Sequence, residues 1–385
     1  MRILTALTYY RPHFSGLTIY AERLARALVR RGHSVTVLTS QYSPDLLSQE
    51  SCDDVQVVRL PVRLKISKGV IMPSMLWRAW KAVQQADIVH LHLPQFDASL
   101  IALYARLQGK PVVLTYHCDL LLPHGFVNSM ANLVSDLTNH VSAILAHAIV
   151  TNTQDYAESS PFLRGYLKKV HAIYVPVELV PVTPADLEAL RQKANIQPGQ
   201  RIISMVARLA SEKGVEFLAQ ALPAVLERHP QARVLYGGQH RNVWGEAAYA
   251  SRLVPLIAQL GERWQFLGVI SEAEKSALYH LSDVVTVPSL NSTESIGISQ
   301  VEAMTCGTPV VASDLPGVRL PVQLTGMGMV VPPADAQALA QALITVLDHP
   351  EQFHGDNQAI ARLFASDTIA EHYETLFHSL DAHDR

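Results

Sequence analysis

The sequence predicts an α/β protein built as two doubly wound lobes facing across a cleft, and three observations carry that prediction. Short runs rich in Val, Ile and Leu alternate with helical stretches from end to end of the 385 residues. Such runs show little polar alternation, as expected of parallel strands covered on both faces. A proline-rich segment, Val175-Pro176-Val177-Glu178-Leu179-Val180-Pro181-Val182-Thr183-Pro184, interrupts the pattern, and the same plan then restarts. At roughly 100–200 residues per domain the length suits two domains, each with its own core.

In the first lobe, residues 1–177, the expected strands are Ile3–Thr8, Val35–Thr39, Val55–Leu60, Ile88–His92, Val112–His117, Ala148–Thr151 and Val170–Val175. Between the first two, Leu17, Tyr20, Ala21, Leu24 and Leu28 recur at helical spacing, and Gly32 ends the helix. In the second lobe, residues 178–366, the expected strands are Ile202–Val206, Arg233–Tyr236, Gln265–Leu267, Val284–Val287, Pro309–Ala312 and Met329–Val331. A last helix in 367–385 puts Ile369, Tyr373, Leu376, Phe377 and Leu380 on one face and can pack on either lobe. Right-handed crossovers place functional loops at the strands' carboxyl ends.

Composition excludes several classes. Charged residues are 17% and hydrophobic ones 49%, which is globular and not disordered. A net charge of −3 gives no case for nucleic acid. The charge is uneven: residues 1–180 hold 17 Lys and Arg against 12 Asp and Glu, and the remainder holds 14 against 22. A basic first half suits an anionic partner or membrane surface, and also suits plain scatter. Three cysteines, Cys52, Cys118 and Cys306, lie far apart, which fits a reducing compartment. The N-terminus reaches Tyr9, Tyr10 and Arg11 too soon for a signal-peptide core, and no apolar run is long enough to span a membrane. We therefore expect a cytoplasmic protein.

The candidate chemistry sits in loops. Glu294 lies in the loop after strand Val284–Val287, and a helix starting near Ser295 or Gly297 carries Glu302 about two turns in. Amide donors at such a helix mouth attract anions, and the carboxylates suit sugar hydroxyls beside a phosphate. The spacing alone is read more simply as a helix-dipole carboxylate at Glu294 and a solvated residue at Glu302. After Ile202–Val206 comes Ala207-Arg208-Leu209-Ala210-Ser211-Glu212-Lys213-Gly214, where Arg208 offers a planar fork for phosphate and Lys213 a point charge. Two cations balance a diphosphate and offset both glutamates. Gly237 and Gly238 form a third carboxyl-edge loop that permits close backbone approach. In the first lobe Pro12-His13-Phe14-Ser15-Gly16 brings amides towards a phosphate but is not a dinucleotide fingerprint. His117 ends a strand. His90 and His92 share a strand face without a third ligand fixed by spacing, so no metal is expected.

Taken together these residues resemble the retaining glycosyltransferases of family 4, with the GT-B fold of two Rossmann-like lobes. The resemblance rests on Glu294 and Glu302 with seven residues between them, continued by Ala303-Met304-Thr305-Cys306-Gly307-Thr308-Pro309. It rests further on Arg208 with Lys213-Gly214, and on Asp87-Ile88-Val89-His90-Leu91-His92 and Thr115-Tyr116-His117. It implies that Arg208 and Lys213 hold the donor diphosphate and that Glu302 binds the ribose. Glu294 and the backbone of Ser295, Ile296, Gly297 and Ile298 would then face the donor sugar. His117 would sit beside the transferred sugar, Ser15 and Gly16 would approach the phosphate, and the segment Phe266–Ser271, with Val269, would contact the base. The last helix would cross back to the first lobe. Three departures stand out: Ser15-Gly16 replaces a common Gly pair, Ala207 replaces a frequent Gly, and Val175-Pro176-Val177-Glu178 lacks the usual Asn-Gly.

The implied activity is metal-independent transfer of a hexose from a nucleotide-diphosphate sugar (UDP- or GDP-sugar), with no other cofactor, to a glycan, lipid-linked or small-molecule acceptor. Such chemistry belongs to cell-envelope polysaccharide or glycolipid biosynthesis. The apolar loop Leu120-Leu121-Leu122-Pro123-His124-Gly125-Phe126 suits contact with the inner membrane surface or packing under the cleft. Two other readings remain: a two-carboxylate glycoside hydrolase, and a non-enzymatic bilobal sugar-binding protein.

Overall fold

A computed structural model of the chain describes residues 1–66, 69–119 and 126–381, the side chains of 66 and 126–131 excepted. The chain forms two compact units, residues 1–176 with 364–385, and residues 177–363.

The first unit contains β1 (Arg2–Ala6), α1 (Gly16–Arg30), β2 (Ser34–Gln41), β3 (Gln49–Cys52), β4 (Val55–Pro61), β5 (Leu64–Ile66), β6 (Gly69–Ile71), α2 (Met75–Gln85), β7 (Ile88–Leu93), α3 (Ala98–Leu107), β8 (Val112–Tyr116), α4 (Phe126–Leu145), β9 (Ala148–Thr151), α5 (Gln154–Ser159) and β10 (Val170–Ala172). The second contains α6 (Pro184–Lys193), β11 (Arg201–Val206), α7 (Val215–Arg228), β12 (Ala232–Gly237), α8 (Ala247–Ala258), β13 (Trp264–Gly268), α9 (Glu272–Leu281), β14 (Val284–Val287), α10 (Ile298–Thr305), β15 (Val310–Ser313), α11 (Leu320–Thr325), β16 (Gly328–Val331), α12 (Ala336–Asp348) and α13 (Asn357–Leu363). The last helix, α14 (Ser366–Asp381), belongs to the first unit.

The first sheet runs β10-β9-β8-β7-β1-β2-β4-β3, and only β3 is antiparallel to its neighbour. The second runs β13-β12-β11-β14-β15-β16, all parallel. Strand order reverses between β1 and β7 in one sheet and between β11 and β14 in the other, and in open α/β sheets ligands bind at the carboxyl ends of such pairs.

Local chemistry explains the element boundaries. Ser15 caps α1 by accepting the Thr18 N–H at 3.2 Å, and Gly32, at φ +87°, turns the chain out of it. Thr183 and Asp186 form a capping box with Pro184 in the first turn, so α6 begins where the proline-rich segment ends. Ser271 and Glu274 do the same for α9. α14 packs on α1: Tyr20 and Tyr373 share a 2.8 Å hydrogen bond, and Arg30 reaches Asp367 at 2.9 Å. Tyr373 and Phe377 are fully buried there, each burial contributing about 1.5–3 kcal/mol.

Three differences from the sequence reading appear. β10 stops at Ala172, short of Val175. β3, with the polar sequence Gln49-Glu50-Ser51-Cys52, pairs at the sheet edge without an apolar run to announce it. The hairpin β5–β6 is likewise unheralded. The loop Leu120–Gly125 falls outside the described residues.

Candidate active site

In the second unit, four predicted groups of residues follow β11, β12, β13 and β14, so all lie along the carboxyl edge of one parallel sheet. The two central loops touch. The Leu290 N–H donates to the Glu212 carbonyl at 2.9 Å. Gly214 sits at φ +66°, and a Cβ built on it would lie 2.0 Å from the Pro288 carbonyl oxygen, so only glycine lets the loops close. This contact brings Lys213 to Glu294: Nζ pairs directly with Oε2, and the Ser289 hydroxyl reaches the same oxygen at 3.4 Å. Both side chains stay partly open, at 21% and 17% exposure. Arg208, more exposed, pairs with Glu212 at 2.9 Å, and that residue's carbonyl tethers the second loop.

Gly237 and Gly238 extend the edge. Gly238, at φ +135°, would put a Cβ 2.1 Å from the Ala207 carbonyl, and its N–H donates to Gly268 at 2.7 Å. Val269 follows and is 73% exposed. Beyond Glu294 the chain turns into α10 through Gly297 at φ +72°, and no side chain caps that helix, so its mouth presents backbone donors. Gln300 pins the turn from inside by donating to the Ile296 and Val318 carbonyls. Ile296 is a buried anchor, and Ser295 is also buried; Ile298 opens the helix.

Glu302 departs from the expected single cluster. It is 3% exposed and faces α9, where Lys275 Nζ holds Oε1 at 3.1 Å and the Tyr279 hydroxyl donates to Oε2 at 3.0 Å. It is neither solvated nor paired with Arg208 or Lys213. Burial and then the Glu302 charge push the neighbouring Cys306 thiol up to about 12, so that sulfur is inert. Lys275 and Tyr279 escaped the sequence reading. Their signal is a spacing of four on α9, which turns them to one face.

In the first unit His117 lies one residue beyond β8 and is buried. Its Nε2 is 2.9 Å from His92 Nδ1, the two rings stack at 5.1 Å, and the Tyr20 ring stands edge-on at 4.9 Å. Beneath them His90 Nε2 meets the Thr115 hydroxyl at 2.7 Å, and Thr115 meets the Tyr373 hydroxyl at 2.7 Å. Burial pulls His117 and His90 down to about 3, and His92 well below the usual imidazole range, so all three are neutral near pH 7. Among the described residues no three His, Cys, Asp or Glu side chains gather to hold a metal. The Ser15 hydroxyl is occupied in capping α1, so of the groups expected near a phosphate here only the backbone at Ser15 and Gly16 is left.

Comparison with known proteins identifies the family and the fold. The model described as Glycosyltransferase Family 4 matches residues 14–180, and Glycosyl transferases group 1 matches residues 186–359. An uncharacterised glycosyltransferase of Methanocaldococcus jannaschii is 28% identical over 370 residues, 90% of this chain and 89% of the relative. The phosphatidyl-myo-inositol mannosyltransferase of Mycobacterium leprae is 27% identical over 355 residues, 86% and 83% of the two chains. Among solved structures, sucrose-phosphate synthase from Thermosynechococcus elongatus superposes with a TM-score of 0.76 at 22% identity, over 99% of each chain. HepE of Anabaena in complex with UDP gives 0.77 at 22% identity, over 98% of this chain and 100% of its own. With two matched models spanning both sheets and a fold shared end to end with such enzymes, the chain belongs to glycosyltransferase family 4 and has the GT-B fold.

Proposed function

We propose that the protein is a retaining hexosyltransferase that takes its sugar from a nucleotide-diphosphate donor, without a metal or other cofactor. The observation that carries this reading is the pairing of Lys213 with Glu294 between β11 and β14, with Arg208 alongside. Transfer breaks the bond between sugar C1 and the β-phosphate oxygen and forms one from C1 to the acceptor oxygen. Negative charge builds on the leaving diphosphate, where Lys213 and Arg208 supply the neutralising charge that a metal supplies elsewhere. The acceptor proton passes to the leaving phosphate oxygen on the same face, which needs no separate base. Glu294 and the open mouth of α10 suit sugar hydroxyls and the diphosphate respectively. Neutral His117 suits a hydroxyl of the transferred sugar. HepE, crystallised with UDP and with UDP-glucose, supports a uridine donor.

The hydrolase reading is weaker. It requires two carboxyls facing across the substrate, about 5–5.5 Å or about 6.5–9.5 Å apart, whereas Glu302 keeps both oxygens engaged inside the unit. Calorimetric titration with UDP, GDP and ADP tests the proposal: one nucleoside diphosphate binds, and Lys213→Ala loses that binding. A protein that binds none of the three is not this enzyme, and one that binds free sugar alone is the sugar-binding protein.

The acceptor side favours a cytoplasmic membrane surface. Helices α2, α3 and α4 lie side by side and leave Trp77, Trp80, Leu107, Leu133, Leu137 and Ile144 exposed. Arg78, Lys81 and Arg106 share those helices with a single acid, Asp136. Aromatic and basic groups on one face suit an anionic bilayer, and a lipid-linked acceptor fits the mannosyltransferase relative's name. No helix among the described residues is long and apolar enough to cross a membrane. Cosedimentation with anionic vesicles at low salt is expected, and its absence removes this acceptor reading.

A further inference from the structure

His90 and His92 share one face of β7, and the neighbouring strand β8 ends beside them with His117 one residue beyond. Contacts from several elements fix the rings. His90 packs on His92 with ring centroids 4.3 Å apart, and Tyr20 of α1 stands edge-on to His92 at 6.1 Å and to His117 at 4.9 Å. His90 Nε2 is taken by the Thr115 hydroxyl, which Tyr373 of α14 meets in turn. The polar partner of the His92 ring is His117, with His92 Nδ1 2.9 Å from His117 Nε2. The other His92 nitrogen, Nε2, is buried and meets no hydrogen-bonding group among the described residues.

Proton counting gives this contact a direction. Each ring is neutral near pH 7 and so carries one N–H. Between His92 and His117 one nitrogen donates and the other accepts. If His117 donates, the His92 proton sits on Nε2, an N–H shut away from every acceptor. If His92 donates, its Nε2 is a bare lone pair. A buried backbone N–H without an acceptor is rarer in folded proteins than an under-satisfied acceptor, and the same desolvation argument holds for a ring N–H. His92 Nδ1–H is therefore the donor. His117 Nε2 accepts, and the single His117 proton lies on Nδ1, which has no partner among the described residues.

We propose that His92 is a positioning residue for glycosyl transfer: it holds His117 as the Nδ1–H tautomer, a hydrogen-bond donor to a hydroxyl oxygen of the transferred sugar, a role that rests on the placing of His117 beside that sugar under the proposed function. The sugar hydroxyl then offers a lone pair to His117 and keeps its own proton for another acceptor. The opposite tautomer would present a lone pair to the sugar and reverse that requirement. His92 itself touches no reacting atom and acts through His117 alone.

The first measurement is the tautomer itself. In protein carrying isotopically labelled histidine, long-range proton–nitrogen correlation separates a protonated ring nitrogen from a bare one, and the His117→Gln spectrum assigns the His117 signals. Wild type should show Nδ1 protonated and Nε2 bare; the reverse pattern overturns the proposal. The second measurement is release of UDP from UDP-glucose, or of GDP from GDP-glucose where calorimetry selects GDP, with water as the acceptor. His92→Leu should turn the His117 signals into a mixture of tautomers and lower kcat/KM about tenfold, the worth of one hydrogen bond. His92→Asn, whose amide can put an N–H where Nδ1 stood, should restore the Nδ1–H tautomer and bring kcat/KM to within about threefold of wild type. Equal rates in the two variants would make His92 structural only. A reversed tautomer in a protein that binds a nucleoside diphosphate fails this proposal alone. A wild type that binds none fails the donor reading, and the role of His92 in transfer falls with it.

Discussion

The carboxyl edges of the two sheets are built on the same β/α plan and handle polarity in opposite ways. In the first unit the polar groups are deep and uncharged: three neutral histidines, Thr115, Tyr20 and Tyr373 interlock with almost no solvent contact. In the second unit the groups at the switch point are charged and partly open: Lys213 with Glu294, and Arg208 with Glu212. A buried group without a counter-charge gives up its charge, whereas one left in contact with water keeps it. Under the proposed function, an edge of neutral donors and acceptors suits hydroxyls, and an edge of partly open ion pairs suits phosphates, whose charge would take over from the glutamates.

The largest effect should come from the charged edge. Lys213→Ala is expected to lower turnover about 10²–10³-fold, the usual cost of one lost charge-stabilising donor. Because the ion pair is partly exposed, Glu294 can hydrate and the fold should persist, as near-UV circular dichroism would show. Steady-state rates with the matching nucleotide-sugar decide it. Near-normal turnover would remove Lys213 from the chemistry and leave the two edges functionally alike.

Much of this was legible from sequence, for identifiable reasons. β7 reads as a covered strand because Ile88, Val89, Leu91 and Leu93 are all apolar, and all six of its residues are buried. Lys213 and Glu294 could be placed together because each follows a strand in a doubly wound unit, and loop position follows from strand direction. The edge strand β3 of the first sheet was not legible, since it is polar and pairs on one side only. Nor was the separation of Glu302 from the other three charged groups. Lys275 looks like a solvated helix residue until α9 and α10 are seen packed together. Tyr373 meets Thr115 across 258 residues of chain, a contact that no local pattern announces.

Gly214→Ala tests whether the charged edge depends on the close approach of its two loops. The residue combines a left-handed φ of +66° with a carbonyl 2.0 Å from the would-be Cβ, so strain and collision add. A loss of about 2–4 kcal/mol is expected, with nucleotide affinity falling in parallel as the Glu212–Leu290 tether opens. Gly199 is the control: its φ is +81° with nothing within 4 Å of a Cβ, so alanine there costs only about 1 kcal/mol. Urea unfolding of both variants separates strain from collision. Equal losses would mean that the loops adjust freely and that the approach carries no function.

The smallest effect belongs to the neutral edge and appears only in acid. The folded-state proton affinity of His90 and His117 is depressed to about 3, and that of His92 is also well depressed, against an unfolded value of 6.5. Below pH 6.5 the unfolded chain therefore binds protons that the folded unit refuses. Stability is complete above 6.5 and is lost as pH falls from there towards 3, with a limiting slope of about 1.4 kcal/mol per pH unit for each such histidine. His92→Gln removes one of these protons from the balance. Between pH 6.5 and 5.5 the variant should lose about 1 kcal/mol less than wild type, whatever its stability at neutral pH. The readout is amide hydrogen exchange in β7 and β8, corrected for intrinsic rates, with β11 and β14 as the reference. An unchanged slope in β7 and β8 would show that His92 is protonated in the folded state, and the contrast between a neutral and a charged edge would fail at its first unit.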